Sequence, residues 1–286
     1  MLDDLHTLIA ELERDGGLED PARLRERIEA LDQLEGWVLD SPGQAGGDAA
    51  EIRARLYGQA RAMYARLEAL NGELYAAIRR DIQCGAGPAR LLEWAPATGQ
   101  AGDGYDYLDV LVNGVLQLAQ PSAEIAGPAA EMVFYQPTPA RHIFELIART
   151  GLSERDILVD LGSGMGHVPL ITAICTVAQT IGIELEAAYV EPARRSAREL
   201  NLNNVAFIRQ DARSADLSSA TLFYLYTPFS GTILRDVLAA LRHEAARREI
   251  RICTYGPCTP TIAEERWLAP DGPPHIDRIT VFHPRG

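Results

Sequence analysis

A short apolar segment followed by three regularly spaced glycines constrains the fold of this chain more than any other feature of its sequence. The segment runs from Ile157 to Leu161, and the glycines follow at positions 162, 164 and 166. Because glycine has no Cβ, the backbone at these positions can bend sharply and approach a ligand closely. The pattern predicts a buried strand, a tight loop and a helix, as in nucleotide-binding α/β domains.

The sequence around this loop alternates between apolar runs and amphipathic stretches. The runs predict strands at residues 157–161, 180–184, 205–208, 220–226, 250–255 and 276–282. The stretches predict helices at residues 141–149, 168–179, 187–200 and 232–243. Such alternation is typical of βαβ units, so we predict a Rossmann-like α/β fold with a doubly wound, mostly parallel sheet. Ligands of such sheets bind beyond the carboxyl ends of the strands.

The first part of the chain has helical periodicity instead. Apolar residues recur near heptad spacing between Ile52 and Ile78, which indicates a helical hairpin or bundle, with a homodimer through these helices as the alternative. Residues 85–104 are typical of a loop, and residues 105–118 predict a further helix. Prolines and glycines then punctuate residues 121–137. We therefore predict an all-helical domain at 1–120, a linker at 121–137 and the α/β domain at 138–286.

The composition restricts the partners and the compartment. The formal net charge is −13, so phosphate backbones are repelled and nucleic acid is an unfavourable partner. The apolar stretch from Leu161 to Ile183 is interrupted by glycines and a proline, which favours a soluble helix and strand over a membrane span. The four cysteines match no metal-ligand spacing, and the first residues lack the segments of a signal peptide. We expect a cytoplasmic protein with no metal and no membrane partner.

An acidic residue lies at or just after the end of three successive predicted strands. Asp160 lies in the first strand, Glu184 ends the second, and Asp211 follows the third. Glu184 can accept hydrogen bonds from two ribose hydroxyls, and Asp211, followed by Ala212, can meet an adenine amino group. Three carboxylates would repel a pyrophosphate, so together they favour a nucleoside with a cationic sulfonium. Each acid taken alone is equally well explained as a cap or a solvated carboxylate.

With these residues, positions 135–255 resemble the class I methyltransferases that use S-adenosyl-L-methionine. Residues 158–164 resemble the glycine motif of the seven-strand, non-SET protein lysine methyltransferases. The Tyr-Gln-Pro-Thr segment at 135–138 is similar to a segment of those enzymes in which the tyrosine and the threonine contact the methionyl end of the cofactor. The resemblance implies cofactor-binding roles for Tyr135, Thr138, Asp160, Gly162, Gly164, Gly166, Glu184, Asp211 and Ala212. The alternative for residues 135–138 is a proline-stiffened linker in which Thr138 caps a helix.

The acceptor of the methyl group is less constrained. The predicted fourth strand ends in Tyr226-Thr227-Pro228-Phe229, which lacks the amide side chain that related amine methyltransferases carry there. Tyr226 and His167 are candidate catalytic residues, with a simple polar helix terminus as the alternative for His167. We expect a methyltransferase that acts on an amine or hydroxyl group of a protein side chain or of a small molecule. We expect the helical domain to serve as a lid, to recognise the substrate or to form an oligomer. The alternatives are a catalytically silent cofactor-binding scaffold or sensor and, against the glycine spacing, a nucleotide-dependent oxidoreductase.

Overall fold

The computed structural model describes residues 2–39, 48–96, 104–119 and 135–285. These residues form two compact units, Met1–Ala77 and Ile78–Gly286. Most of the linker predicted at 121–137 lies outside the described residues, so the predicted domain boundaries stay a prediction.

The described residues of the first unit form three helices and two short 3-10 turns. The helices are α1 (Leu2–Arg14), α2 (Leu24–Leu39) and α3 (Asp48–Gln83), of which α3 continues into the second unit. Their apolar stripes pack into one core, formed by Leu5, Ile9, Leu18, Ala30, Leu31, Leu34, Leu56, Tyr57, Ala60, Met63 and Leu67. The stripe predicted for α3 is buried at most positions, although Ile52 at its start is 50% exposed. The helical prediction for this part of the chain is confirmed, and the homodimer alternative stays a prediction.

A buried arginine ties the turns of the first unit to two of its helices. Arg27 of α2 is 1% exposed, and its Nε donates to Oδ1 of Asn71 in α3 at 2.7 Å. Its two terminal nitrogens donate to the backbone carbonyls of Leu18, Asp20 and Pro21. A buried cation is tolerated when its donors are matched by acceptors, as they are here.

We expect Arg27→Met to lower the free energy of unfolding by about 3 kcal/mol, because it leaves buried carbonyl oxygens and an amide without a donor. Urea denaturation followed by circular dichroism measures the loss. Arg25→Met on the same helix is the matched control, since the Arg25 side chain is 68% exposed where it pairs with Glu29, and it should cost less than about 0.5 kcal/mol. Equal losses in the two variants would contradict the structural role of Arg27.

Seven strands form one sheet in the second unit. They are β1 (Ile157–Leu161), β2 (Gln179–Glu184), β3 (Val205–Arg209), β4 (Leu222–Tyr226), β5 (Arg251–Tyr255), β6 (Leu268–Pro270) and β7 (Thr280–Pro284). The order is β3-β2-β1-β4-β5-β7-β6, and all pairs are parallel except those of β7 with β5 and β6. The predicted doubly wound, mostly parallel sheet is confirmed. Its topological switch point lies between β1 and β4, where a ligand is expected.

Helices connect and flank these strands. They are α4 (Gly87–Leu92), α5 (Tyr107–Leu116), α6 (Ala140–Thr150), α7 (His167–Cys175), α8 (Ala187–Glu199), α9 (Gly231–Ala245) and α10 (Cys258–Ala263). Val159 and Leu161 of β1 belong to a core cluster with apolar residues of α9. Because strand side chains alternate, Asp160 points to the opposite face of the sheet. No helix in the described part of the chain combines the length and hydropathy that a membrane crossing requires.

Five elements differ from the sequence prediction. The loop predicted at 85–104 contains α4, a six-residue helix with a proline in its first turn. Helix α7 ends at Cys175, four residues earlier than predicted, because Thr176 is extended and β2 begins at Gln179. The last strand is Thr280–Pro284 rather than 276–282. Helix α10 and strand β6 were missed, since six and three residues are too few for a periodic pattern.

Candidate functional site

The glycine loop between β1 and α7 has a left-handed backbone and packs closely against other segments of the chain. Gly164 has a φ of +53°, and a Cβ there would lie 2.0 Å from Cε2 of Tyr135. Gly162 has a φ of +85°, and a Cβ there would lie 2.2 Å from Cβ of Pro228. Both distances are far inside van der Waals contact, so backbone conformation and packing alike require glycine at these positions.

A cavity opens beside this loop, beyond the carboxyl ends of β1 and β4. It brings together six of the predicted site residues, namely Tyr135, Thr138, Asp160, Gly162, His167 and Tyr226. The register explains part of this grouping, because Asp160 pairs with Tyr224 across the two strands, and Tyr226 lies two residues further on the same face. Tyr224 also lines the cavity, and no lysine or arginine is among the described residues that do so.

Asp160 is the carboxylate of this cavity. It is 4% exposed, and none of the hydrogen bonds of the described residues reaches its carboxylate. Burial and, secondarily, the nearby Glu184 raise the pKa of Asp160 well above its usual value. A buried carboxylate without a donor is unfavourable, and a cationic group bound in the cavity would relieve that cost. The cavity therefore fits a ligand that carries a positive charge.

Thr138 lies just before α6 and contributes a hydroxyl to the cavity wall. Its Oγ1 lies 2.9 Å from the hydroxyl of Tyr224, and both side chains are buried. The N-cap position of α6 is occupied by Pro139, and no side chain caps the helix. The alternative in which Thr138 caps a helix is therefore wrong, because its hydroxyl is bonded to the sheet instead.

A comparison with protein families matches the region that builds this cavity. The family model described as "Histone methylation protein DOT1" matches residues 130–213. The matched residues include the whole glycine loop and the acids of β1 and β2. The matched residues contain β1, β2 and β3 of the seven-stranded sheet and much of the lining of the cavity at its switch point. The chain is a class I methyltransferase. Its cofactor is S-adenosyl-L-methionine.

Several solved structures are similar to this methyltransferase over part of its length. An RNA methyltransferase from Salinibacter ruber, solved with S-adenosyl-L-homocysteine, is 25% identical, covers 52% of this chain and 92% of its own, and has a TM-score of 0.42. A SAM-dependent methyltransferase from Aquifex aeolicus is 14% identical, with 49% and 88% covered and a TM-score of 0.41. A geranyl diphosphate C-methyltransferase from Streptomyces coelicolor A3(2) is 23% identical, with 39% and 41% covered and a TM-score of 0.34. None of the curated proteins compared matches the chain.

Glu184, at the end of β2, is built to hold the glycine loop of the methyltransferase and to accept further hydrogen bonds. Its Oε2 accepts the N–H of Gly164 at 2.8 Å, and its Oε1 accepts the N–H of Glu186 at 2.9 Å. Each carboxylate oxygen can accept a second hydrogen bond. The side chain is buried, so these acceptors are fixed before a ligand arrives. This geometry fits a ribose with two hydroxyls.

Asp211 lies further along the same edge of the sheet and is occupied by its own neighbours. It precedes the 3-10 turn Ala212–Ser214, and its Oδ1 accepts the N–H of Arg213 at 2.9 Å. Its carboxylate also pairs with the guanidinium of Arg213 at 2.6 Å. Neither Asp211 nor Ala212 is among the described residues that line the cavity. The contacts of Asp211 match the capping alternative, and its predicted role at adenine stays a prediction.

His167, the first residue of α7, has both ring nitrogens engaged. Its Nε2 lies 2.9 Å from Oδ1 of Asn113, and its Nδ1 lies 3.1 Å from the hydroxyl of Tyr135. Burial lowers the pKa of His167 to about 4, so the ring is neutral at pH 7. Because its lone pair already accepts a hydrogen bond, this arrangement does not leave the ring free to act as a general base.

Tyr226 is the member of the segment 226–229 that lines the cavity. Burial raises the pKa of Tyr226, so the hydroxyl is neutral at pH 7, and its ring lies 4.8 Å from that of Tyr255. Thr227 is turned away, since its Oγ1 accepts the N–H of Cys258 at 3.0 Å. Phe229 is buried in the core.

Two residues of the site, Tyr224 and Asn113, were not predicted. Tyr224 could have been found, because residues two apart on a strand share a face and Tyr226 was already a candidate. Asn113 could not, because its contact with His167 joins residues 54 positions apart on two different helices.

We expect Glu184→Ala to weaken binding of S-adenosylmethionine by about 50-fold or more, because the variant leaves the loop amides and the ribose hydroxyls without their acceptor. Isothermal titration calorimetry measures the affinity. Glu184→Gln keeps one acceptor oxygen and should fall between the wild type and the alanine variant. Glu191→Ala, at an exposed position of α8, is the control and should bind normally. Normal binding by Glu184→Ala would contradict the ribose assignment.

The neutral state of His167 predicts an acid-dependent loss of stability. The pKa is 6.5 in an unfolded chain and about 4 in the folded protein, so the unfolded chain binds a proton that the folded protein excludes. The stabilising contribution is complete above pH 6.5 and is lost as the pH falls toward 4. Between pH 7 and pH 4 the wild type should lose about 3 kcal/mol more than His167→Gln in urea denaturation. A difference independent of pH would contradict the buried neutral ring.

Proposed function

We propose that this methyltransferase transfers its methyl group to an amine, first of all on a basic protein side chain and otherwise on a small-molecule amine. The observation that carries the proposal is the aromatic lining of the cavity, to which Tyr135, Tyr224 and Tyr226 contribute. Aromatic faces attract ammonium and methylammonium groups. The described residues that line the cavity include no lysine or arginine that would oppose such a cation.

The state of the titratable groups favours an amine over a hydroxyl acceptor. An alcohol must lose its proton during transfer, which requires a general base. The lone pair of His167 accepts the hydroxyl of Tyr135, and the raised pKa of Tyr226 keeps that phenol protonated. Asp160 remains, and we assign it to the positive charge of the cofactor. An amine that loses its proton to water before it enters the cavity does not need any of these groups as a general base.

Charge and family support a protein acceptor. The formal net charge of −13 attracts basic partners and repels nucleic acid. The matched family is named for histone methylation, which is a modification of basic proteins. Both observations agree with the resemblance of residues 135–138 to the protein lysine methyltransferases.

The residues of the site would act mainly by binding and alignment. S-adenosylmethionine, when bound, supplies a methyl group that its sulfonium already activates. We propose that Tyr135, Thr138 and the loop glycines hold the methionyl part, with Asp160 opposite its positive charge, Glu184 on the ribose and Asp211 and Ala212 near the adenine. The hydroxyl of Tyr226 would accept a hydrogen bond from the incoming amine and orient its lone pair. Its aromatic neighbours would exclude water, so that alignment lowers the barrier.

The proposal is tested by incubating the protein and radiolabelled S-adenosylmethionine with separated protein, small-molecule and RNA fractions of the source cell. We expect label in basic proteins, recovered after acid hydrolysis as an N-methyl amino acid. Tyr226→Phe should lower kcat by about tenfold, because the acceptor loses one orienting hydrogen bond, and should leave cofactor affinity unchanged.

Tyr64→Phe in the first unit is the matched control for the loss of a tyrosine hydroxyl. Label in RNA, or a methyl group released by mild alkali, would contradict the amine assignment. Tight cofactor binding without label in any fraction would instead indicate the catalytically silent scaffold.

A further inference from the structure

Three polar side chains connect α5 to the glycine loop through consecutive hydrogen bonds. Asn113 of α5 lies 2.9 Å from Nε2 of His167, and Nδ1 of the same ring lies 3.1 Å from the hydroxyl of Tyr135. We call these residues the Asn113–His167–Tyr135 network. Asn113 lies outside residues 130–213, the part of the chain that the family model matches.

The direction of each hydrogen bond in this network follows from the placement of the Asn113 amide oxygen against Nε2 of His167. The amide oxygen of Asn113 can only accept, so Nε2 of His167 must carry the ring proton. A neutral ring then has its lone pair on Nδ1, and the hydroxyl of Tyr135 must donate to it. Asn113 therefore selects the tautomer that can hold Tyr135.

The end of the network is a ring that covers the glycine loop. The edge of the Tyr135 ring lies where a Cβ of Gly164 would stand, and its face lies 4.8 Å from the ring of Tyr189. The ring is thus held at its hydroxyl by His167, at its edge by the glycine loop and at its face by Tyr189. A ring held in advance lowers the ordering cost of ligand binding.

Helix α5 is itself anchored to the helices around the cofactor. Oδ1 of Asp109 accepts the N–H of Ala140 at the start of α6 at 2.8 Å. The carbonyl of Leu116 accepts the hydroxyl of Ser196 in α8 at 2.8 Å. These contacts fix the position of Asn113 relative to His167.

We propose that Asn113 and His167 are positioning residues that hold Tyr135 over the glycine loop, and that α5 is thereby part of the cofactor pocket. The proposal rests on the role proposed above for Tyr135 as a cofactor contact. It is independent of the acceptor, because it concerns cofactor binding alone.

Asn113→Ala is the informative variant, because Asn113 is exposed and its loss should not unfold the protein. We expect affinity for S-adenosylmethionine to fall about fivefold in calorimetry, with an unchanged Tm. Val110→Ala, at another exposed position of α5, is the matched control and should bind like the wild type. Wild-type affinity in Asn113→Ala would overturn the proposal.

A double-mutant cycle separates positioning from an independent effect. If Asn113 acts through the hydroxyl of Tyr135, then Asn113→Ala should add nothing to Tyr135→Phe. If the double variant lost affinity by the product of the two single losses, the proposal would be overturned.

The tautomer of His167 can be measured, and it would not change if Asn113 had only a structural role. The ¹⁵N shifts of His167 should report a proton on Nε2 in the wild type and a mixture in Asn113→Ala. A proton on Nδ1 in the wild type would overturn the proposal. Absence of cofactor binding by the wild type would overturn the cofactor assignment as well, whereas a failed acceptor screen with normal binding would affect only the proposed function.

Discussion

The close packing of the glycine loop is the constraint on which the rest of the site depends. A Cβ at positions 162, 164 or 166 would meet a side chain of a different segment, namely Pro228 after β4, Tyr135 before α6, or Phe207 in β3. The loop thus sets the positions of three segments that are far apart in sequence. Tyr226, which lines the cavity, lies two residues before Pro228 in one of these segments. A single substitution in the loop would therefore displace several walls of the cavity together.

Burial gives this cavity an unusual set of protonation states. The ring of His167 is neutral, the hydroxyls of Tyr224 and Tyr226 stay protonated, and the pKa of Asp160 is raised. Every one of these shifts has desolvation as its largest cause. A site that is so poorly solvated disfavours an isolated charge, whereas two opposite charges that meet there stabilise each other. A sulfonium or ammonium beside the Asp160 carboxylate forms such a pair, which explains why a cationic cofactor suits a cavity whose described lining includes no arginine.

The sequence contained most of the fold and about half of the site. Strands β1 to β5 and their helices were predictable, because each is a long enough apolar or amphipathic run to reveal its period. The glycines and Glu184 were predictable because their positions follow from the strand ends. The partner of Thr138 was not, since its bond to Tyr224 depends on how a loop lies against the sheet. Asn113 was hidden for the same reason, because only the packing of α5 brings it to His167.

The acidic residues at the end of β2 and after β3 differ in how far their side chains are already held in place for the ligand contacts predicted for them. Glu184 is buried, is held by two backbone amides and still has acceptor capacity, so a ribose would meet it without rearrangement. Asp211 is partly exposed and is paired with Arg213, so an adenine amino group would have to compete with that pair. An exposed ion pair of this kind contributes only about 0.5 kcal/mol, and its opening costs little. Binding of the ribose would therefore be set by a rigid acceptor, whereas the adenine would be met by a side chain that adjusts as it binds.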